Sequence, residues 1–155
     1  MSIIPDSLVW SLVRQNNCFM QKRNGNTRRS GRVVLSGEPM NLKNVHSFKY
    51  SGLANSKAVG IAEGADDKGR PCVVLTQKSS KKVNQPAKAV AQTLLKKNNR
   101  SSARAVKAIT AGTFYREDLT QDALARFCIV NRATRAKRGL AKPMVTKGRR
   151  AKKSA

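Results

Sequence analysis

Acidic side chains are scarce in this sequence. Eight Asp and Glu stand against 32 Lys and Arg in 155 residues, giving a formal charge of +24. The eight are Asp6, Glu38, Glu63, Asp66, Asp67, Glu117, Asp118 and Asp122, so none falls between Lys68 and Arg116 and none follows Asp122. Proteins without a polyanionic partner mix both signs on their surface. A solvated face therefore cannot account for the whole excess, and nucleic acid is the implied partner. Cysteine is limited to Cys18, Cys72 and Cys128. An odd count at wide spacing excludes a disulfide framework, and no CxxC pair offers a zinc site. Buried or half-buried free thiols in a reducing compartment are the expected state. Apolar runs are short, Val73-Val74-Leu75 among them, where a membrane-spanning helix needs about 18 apolar residues. Pro5 and Asp6 stand where a signal peptide would carry basic and then apolar residues. Large apolar anchors are too few for a basic helix lying on a membrane. There is no internal repeat, zinc-finger pattern, leucine zipper or RRM motif.

What remains is one domain of modest core, since the apolar share of 39% lies below the globular norm. The expected architecture is α+β: a small, mostly antiparallel sheet with an N-terminal helix, then basic C-terminal helices and a basic tail that orders only against phosphate. The divisions expected are a body over 1–77 with a basic loop at 24–37, a basic linker over 78–85, a helical region over 86–139 and the tail over 140–155.

Asp6 or Ser7 can cap a first helix to about Gln15, with Leu8, Val9, Leu12 and Val13 on one face and Trp10 to its side. Cys18 to Arg23 reads as a strand, and Asn24-Gly25-Asn26 as turn chemistry. The stretch to Gly37 reads as a mobile loop or hairpin arm. Ser47 to Tyr50 looks extended. Ala58–Ala62 and Pro71–Gln77 read as strands around a polar hairpin loop, with Cys72 to Leu75 covered on both faces. From Asn84 and Pro86 the pattern turns helical, with Val90, Ala91, Leu94 and Leu95 as the stripe and Asn98-Asn99 as the end. Ser101 or Ser102 caps the next helix, which places Arg100, Arg104 and Lys107 opposite Val106 and Ile109. Gly112 breaks the pattern. A longer helix then runs from about Glu117 to Arg138 over Leu119, Ala123, Phe127 and Val130, flanked by Leu124 and Cys128. Its acids lead and its cations trail, as the helix dipole favours, and Gly139 suits the cap.

The candidate RNA-binding residues follow from this layout. They are Lys22 and Arg23 on the first strand, Arg28 and Arg29 in the loop, and Lys43, Lys49 and Tyr50 in the irregular stretch. Lys81 and Lys82 come from the linker, and Arg100, Arg104 and Lys107 from the short helix. Arg132, Arg135, Lys137 and Arg138 end the long helix, and Lys142, Lys147, Arg149 and Arg150 lie in the tail, whose cluster can also serve as a nuclear localisation signal. Tyr50 or Phe48 could stack on an unpaired base, although core packing is the better reading.

Catalytic chemistry finds little footing. His46 is the only histidine and has no serine or cysteine motif around it. Asp66-Asp67 sits in a glycine-flanked loop and reads as turn chemistry. Gly60 to Gly64 lacks the downstream Gly-Lys-Ser/Thr of a phosphate loop. No catalytic residue, metal, nucleotide or redox cofactor is expected.

Several segments together resemble protein twenty-eight of the eukaryotic cytosolic large ribosomal subunit, a family distinct from the bacterial protein of the same number. Trp10, Leu12-Val13-Arg14 and Asn17 resemble its opening helix, and Phe19 to Asn24 its first strand. Glu38-Pro39-Met40-Asn41-Leu42-Lys43 followed by Ser47 to Leu53 is the most specific stretch. Lys57 to Gly60, Tyr115 to Leu119 and Lys142 to Val145 are similar as well. Two features depart from the pattern: a longer Gly25–Gly37 loop, and Glu117 where proline is frequent.

The resemblance implies a non-catalytic structural protein bound to large-subunit rRNA beside neighbouring ribosomal proteins. It implies no membrane, no small-molecule substrate and no homo-oligomer. The expected location is the cytoplasmic ribosome, reached after nuclear and nucleolar passage. Two other classes fit the charge. A chromatin protein would carry a long tail rich in Lys, Ala and Pro. A small RNA-modifying or nuclease enzyme would lose its activity in His46→Ala.

Overall fold

The structure, a computed structural model, describes residues 4–24, 31–79, 82 and 85–140. The architecture is α+β. In chain order the elements are α1 (Asp6–Val13), β1 (Met20–Asn24), β2 (Arg32–Ser36), β3 (Val59–Ala65), β4 (Pro71–Lys78), α2 (Pro86–Ala89), β5 (Val90–Leu95), α3 (Asn99–Lys107) and α4 (Thr120–Lys137). Among the described residues the strands form two antiparallel sheets, β1-β2 and β3-β4-β5.

The three-stranded sheet carries the core. Val59, Ile61, Val73 and Leu75 present one face to α4, where Leu119, Ala123 and Phe127 meet them, and Val106 of α3 and Leu42 close the cluster. Val59, Val106 and Ala123 have no exposed surface, and Phe127 retains 1%. The helical spacing of Ala123, Phe127 and the half-buried Val130 makes this stripe continuous.

Several sequence expectations shift by a few residues, and some change kind. The stripe Val90 to Leu95 is a strand, with Val73 opposite Leu95 and Leu75 opposite Thr93. Only Pro86–Ala89 is helical there. Without β5, the backbone groups along one edge of β4 would be left unpaired, and that requirement outweighs a helical spacing of apolar residues. Phe48–Tyr50 is a 3₁₀ turn rather than an extended segment. The stretch to Gly37, read as a loop or hairpin arm, takes the second form: it contains β2, paired antiparallel to β1 from Met20↔Ser36 to Asn24↔Arg32. Residues 25–30, on which the mobile arm was expected, lie outside the described residues.

In α1 the half-buried face runs Asp6, Val9, Trp10 and Val13, while Leu8 and Leu12 are 51% and 72% exposed. Of the expected face Leu8, Val9, Leu12 and Val13, only Val9 and Val13 turn inward, so the helix is rotated towards Asp6 and Trp10. Two contacts set that rotation. Asp6 does not cap the helix; its carboxylate accepts from the backbone N–H and hydroxyl of Ser56 at 2.9 and 3.0 Å. Trp10 packs on His46 and Phe48, with ring centroids 4.9 and 5.9 Å apart. At α3 the cap is Asn98, whose side chain accepts from the Ser101 N–H at 2.8 Å, so Asn98 begins a helix instead of ending one. The long helix starts with a 3₁₀ turn at Glu117–Leu119 and ends at Gly139, which has a φ of +69°.

One buried polar hub organises the segment before β3. Glu38 is 4% exposed. One carboxylate oxygen accepts from the Ser36 hydroxyl at 2.9 Å and the Asn41 amide at 3.3 Å; the other accepts from the Ser51 hydroxyl at 3.0 Å and the Leu53 N–H at 3.1 Å. Lys78 is held nearby, its ammonium donating to the carbonyls of Gly52 and Asn55 at 3.0 and 2.8 Å, and burial pushes its pKa down. Gly60 allows this layer to close, because a Cβ there would run into Thr76 Oγ1 and meet the Met40 Cα at 2.8 Å.

Candidate nucleic-acid interface

The cations divide into those engaged within the protein and those left to solvent. Lys43 pairs with Asp122 at 2.9 Å and sits 5.1 Å from the Tyr50 ring centroid. Its pKa is raised by its hydrogen bonds to Asp122 and Tyr50. Lys137 pairs with Glu63 at 2.6 Å, and the Arg138 Nε donates to the Pro71 carbonyl. Arg116 spans three segments, donating to the carbonyls of Lys49 and Lys57 at 2.8 and 2.9 Å and pairing with Asp118 at 2.9 Å. Lys96 ties the β3-β4 loop to the end of β5 through Asp66 and Asp67, which raises its own pKa and lowers that of Asp66. The aspartate pair is therefore a turn anchored by a lysine.

Arg100, Arg104 and Lys107 of α3, with Arg132 and Arg135 of α4, are exposed. None makes an ion pair or side-chain hydrogen bond among the described residues. Arg100, Arg104 and Lys107 share the outer face of α3, while Val106 turns inward with no exposed surface. On α4, Asn131, Arg135 and Arg138 fall along one flank at spacings of four and three, beside the buried stripe; Lys137 falls on the opposite flank, where Glu63 takes it. The start of α3 and the end of α4 flank an open cleft of about 590 Å³, lined among others by Lys97, Asn99, Arg100, Asn131, Arg135 and Arg138. Three sequence candidates, Arg100, Arg135 and Arg138, thus come together from positions far apart in the chain.

The other candidates are dispersed. Lys22 and Arg23 are both exposed on β1. As consecutive residues of a strand they point to opposite faces, so one flat surface cannot use both. Lys49 is exposed, with its ammonium 5.6 Å from the Tyr50 ring centroid. Tyr50 itself packs on the core and donates to Asp122 at 2.8 Å, between two lysines. Phe48 remains 40% exposed against Trp10. Lys82 is exposed. Arg28, Arg29, Lys81, Lys142, Lys147, Arg149 and Arg150 lie outside the described residues.

His46 lies beside the C-terminal end of α1, with Nε2 2.8 Å from the Arg14 carbonyl and its ring on Trp10. Cys72 is buried, but Cys18 and Cys128 are exposed, against the expectation of sheltered thiols. Among the described residues no group of three or more His, Cys, Asp or Glu is placed to hold a metal ion. No described helix is long and apolar enough to cross a membrane. Sequence reading missed Lys97, Asn99, Asn131 and Arg116. Isolated amides and a cation followed by two acids carry no local signal, and their roles arise only when β5 carries the chain back across the sheet.

Comparison with protein families matches residues 8–133 to the ribosomal L28e protein family. The large ribosomal subunit protein eL28 of Schizosaccharomyces pombe is 30% identical over 141 residues, covering 89% of this chain and 98% of that protein. The eL28 of Dictyostelium discoideum is 37% identical over 130 residues, covering 83% and 88%. That of Caenorhabditis elegans is 40% identical over 99 residues, covering 64% and 69%.

Proposed function

Because the chain belongs to the ribosomal L28e protein family, we propose that it is a structural constituent of the eukaryotic large ribosomal subunit, and that it binds folded rRNA through lysine and arginine contacts to phosphate without catalysing a reaction. The observation that carries the rRNA contact is the set of exposed cations on α3 and α4 that make no ion pair or side-chain hydrogen bond among the described residues, whereas Lys43, Lys137 and Arg138 are held by carboxylates or carbonyls. Those five are held on a rigid packed pair of helices, and the sequence supplies no acid between Lys68 and Arg116 to neutralise α3. Each phosphate they contact releases condensed counterions, so affinity comes from a polyanion and falls with salt. A-form RNA hides its base edges in a narrow groove, so shape and phosphate positions dominate the readout.

In this reading Lys22, Arg23, Lys49, Lys82 and the basic segments at 25–30 and 141–155 extend the contact, with Lys43 and Tyr50 bracing the body beneath it. The partners are large-subunit rRNA and adjoining ribosomal proteins, on the cytoplasmic ribosome after passage through the nucleus. His46 serves to fix α1 against the body. His46→Ala accordingly changes no RNA-dependent turnover.

The test is the affinity of the full chain for structured large-subunit rRNA across a salt series. Log affinity falls linearly with log salt, by about 0.7 to 0.9 per phosphate contacted. A flat dependence, or an RNA-dependent turnover that vanishes in His46→Ala, contradicts the proposal.

A further inference from the structure

The geometry points to one unpaired nucleotide of the bound RNA, its base seated in the cleft between the start of α3 and the end of α4. This rests on the rRNA-binding reading above and adds a base-sized site to it.

Phosphate alone does not account for the lining. A phosphate needs donors, which Arg100, Arg135 and Lys97 supply. The cleft also holds Asn99 and Asn131, whose amides bond each other at 3.0 Å. That bond consumes one amide carbonyl and one N–H. It leaves the Asn99 amide nitrogen and the Asn131 amide oxygen without partners among the described residues. Reversing both amides would exchange the roles and still leave one donor and one acceptor. An acceptor is of no use to phosphate, whereas a donor beside an acceptor is what a nucleobase edge offers and requires.

Size agrees: about 590 Å³ lies in the range of sites that take small organic groups. No described aromatic ring lines the cleft, so the flat partner for the base is a guanidinium. Arginine planes stack on splayed-out bases in this way. Arg138 is steadied for that role, since its Nε is tied to the Pro71 carbonyl while its terminal nitrogens remain available. The base must be unpaired, because helical RNA does not present its edges to a protein cleft.

The experiment uses the full chain and three kinds of hairpin RNA of equal length, compared with one another at each concentration of a salt series. One carries a single bulged nucleotide, each of the four bases in turn. One carries an abasic residue at the bulge, and one is fully paired. The bulged hairpin with the preferred base binds about tenfold more tightly than the abasic one. Asn99→Ala and Asn131→Ala each reduce that ratio towards one and leave affinity for the paired hairpin unchanged, which also shows that the variants fold. Arg135→Gln weakens binding to all three. Equal affinity for bulged and abasic RNA, or a preference that survives both asparagine variants, overturns the base site. If that equality comes with steep salt dependence on all three RNAs, the rRNA reading stands without the base site. Absence of binding to any RNA overturns both.

Discussion

At the scale of single residues the structure is held by a few polar groups whose removal has calculable effects. Glu38 satisfies four donors from Ser36, Asn41, Ser51 and Leu53. Glu38→Ala orphans them in a buried site and lowers stability by about 3 kcal/mol, read as a shifted urea midpoint at unchanged slope. Gly60→Ala drives a Cβ into Thr76 and Met40 and costs about 1 to 3 kcal/mol in the same assay. The stretch from Glu38 to Leu53 thus wraps a buried carboxylate. Asp122 adds a pH dependence. Burial raises its pKa, but the Lys43 and Tyr50 hydrogen bonds outweigh that and hold it below the ordinary 3.8. A depressed carboxylate contributes stability that is fully present above its unfolded pKa and is lost as pH falls through the folded one. The Tm difference between the parent chain and Asp122→Asn is therefore constant from pH 7 to about 5 and shrinks below about 4. A difference that grows towards low pH contradicts the assignment.

At the scale of elements the basic face of α3 is the part most open to test. Arg100→Gln, Arg104→Gln and Lys107→Gln together remove three cations that support nothing inside the protein. Folding is unaffected, and the salt slope of RNA binding falls by about 2 to 3. An unchanged slope would mean that α3 faces away from RNA. This helix was legible in the sequence because its two faces differ at a fixed 3.6-residue spacing and no acid intervenes. So were α4, whose apolar stripe and charge order agree, and the β3-β4 hairpin, whose polar loop lies between two apolar runs. β5 was not legible. Val90, Ala91, Leu94 and Leu95 suit a helix face, and the deciding factor, the unpaired edge of β4, is tertiary. The orientation of α1 was hidden for a related reason: Ser56 and His46, which fix it, lie more than thirty residues away in the chain.

At the scale of the whole molecule, the charge of +24 is the property that both sequence and structure treat alike. It names a polyanion but no site. The candidate site became legible only once the fold separated cations that brace the body, such as Lys43, Arg116 and Lys137, from cations that make no such contact among the described residues. The cleft between α3 and α4 was invisible in the sequence because its two walls come from segments about thirty residues apart, brought together by the packing of Val106 and Phe127 in one core.

The most direct test of the central claim is sedimentation of a cell extract on a gradient, with and without ribonuclease, following this chain. It is expected to migrate with the large ribosomal subunit, to remain there through moderate salt, and to leave that position when the RNA is digested. Migration with chromatin, or as a small free protein indifferent to ribonuclease, would contradict it.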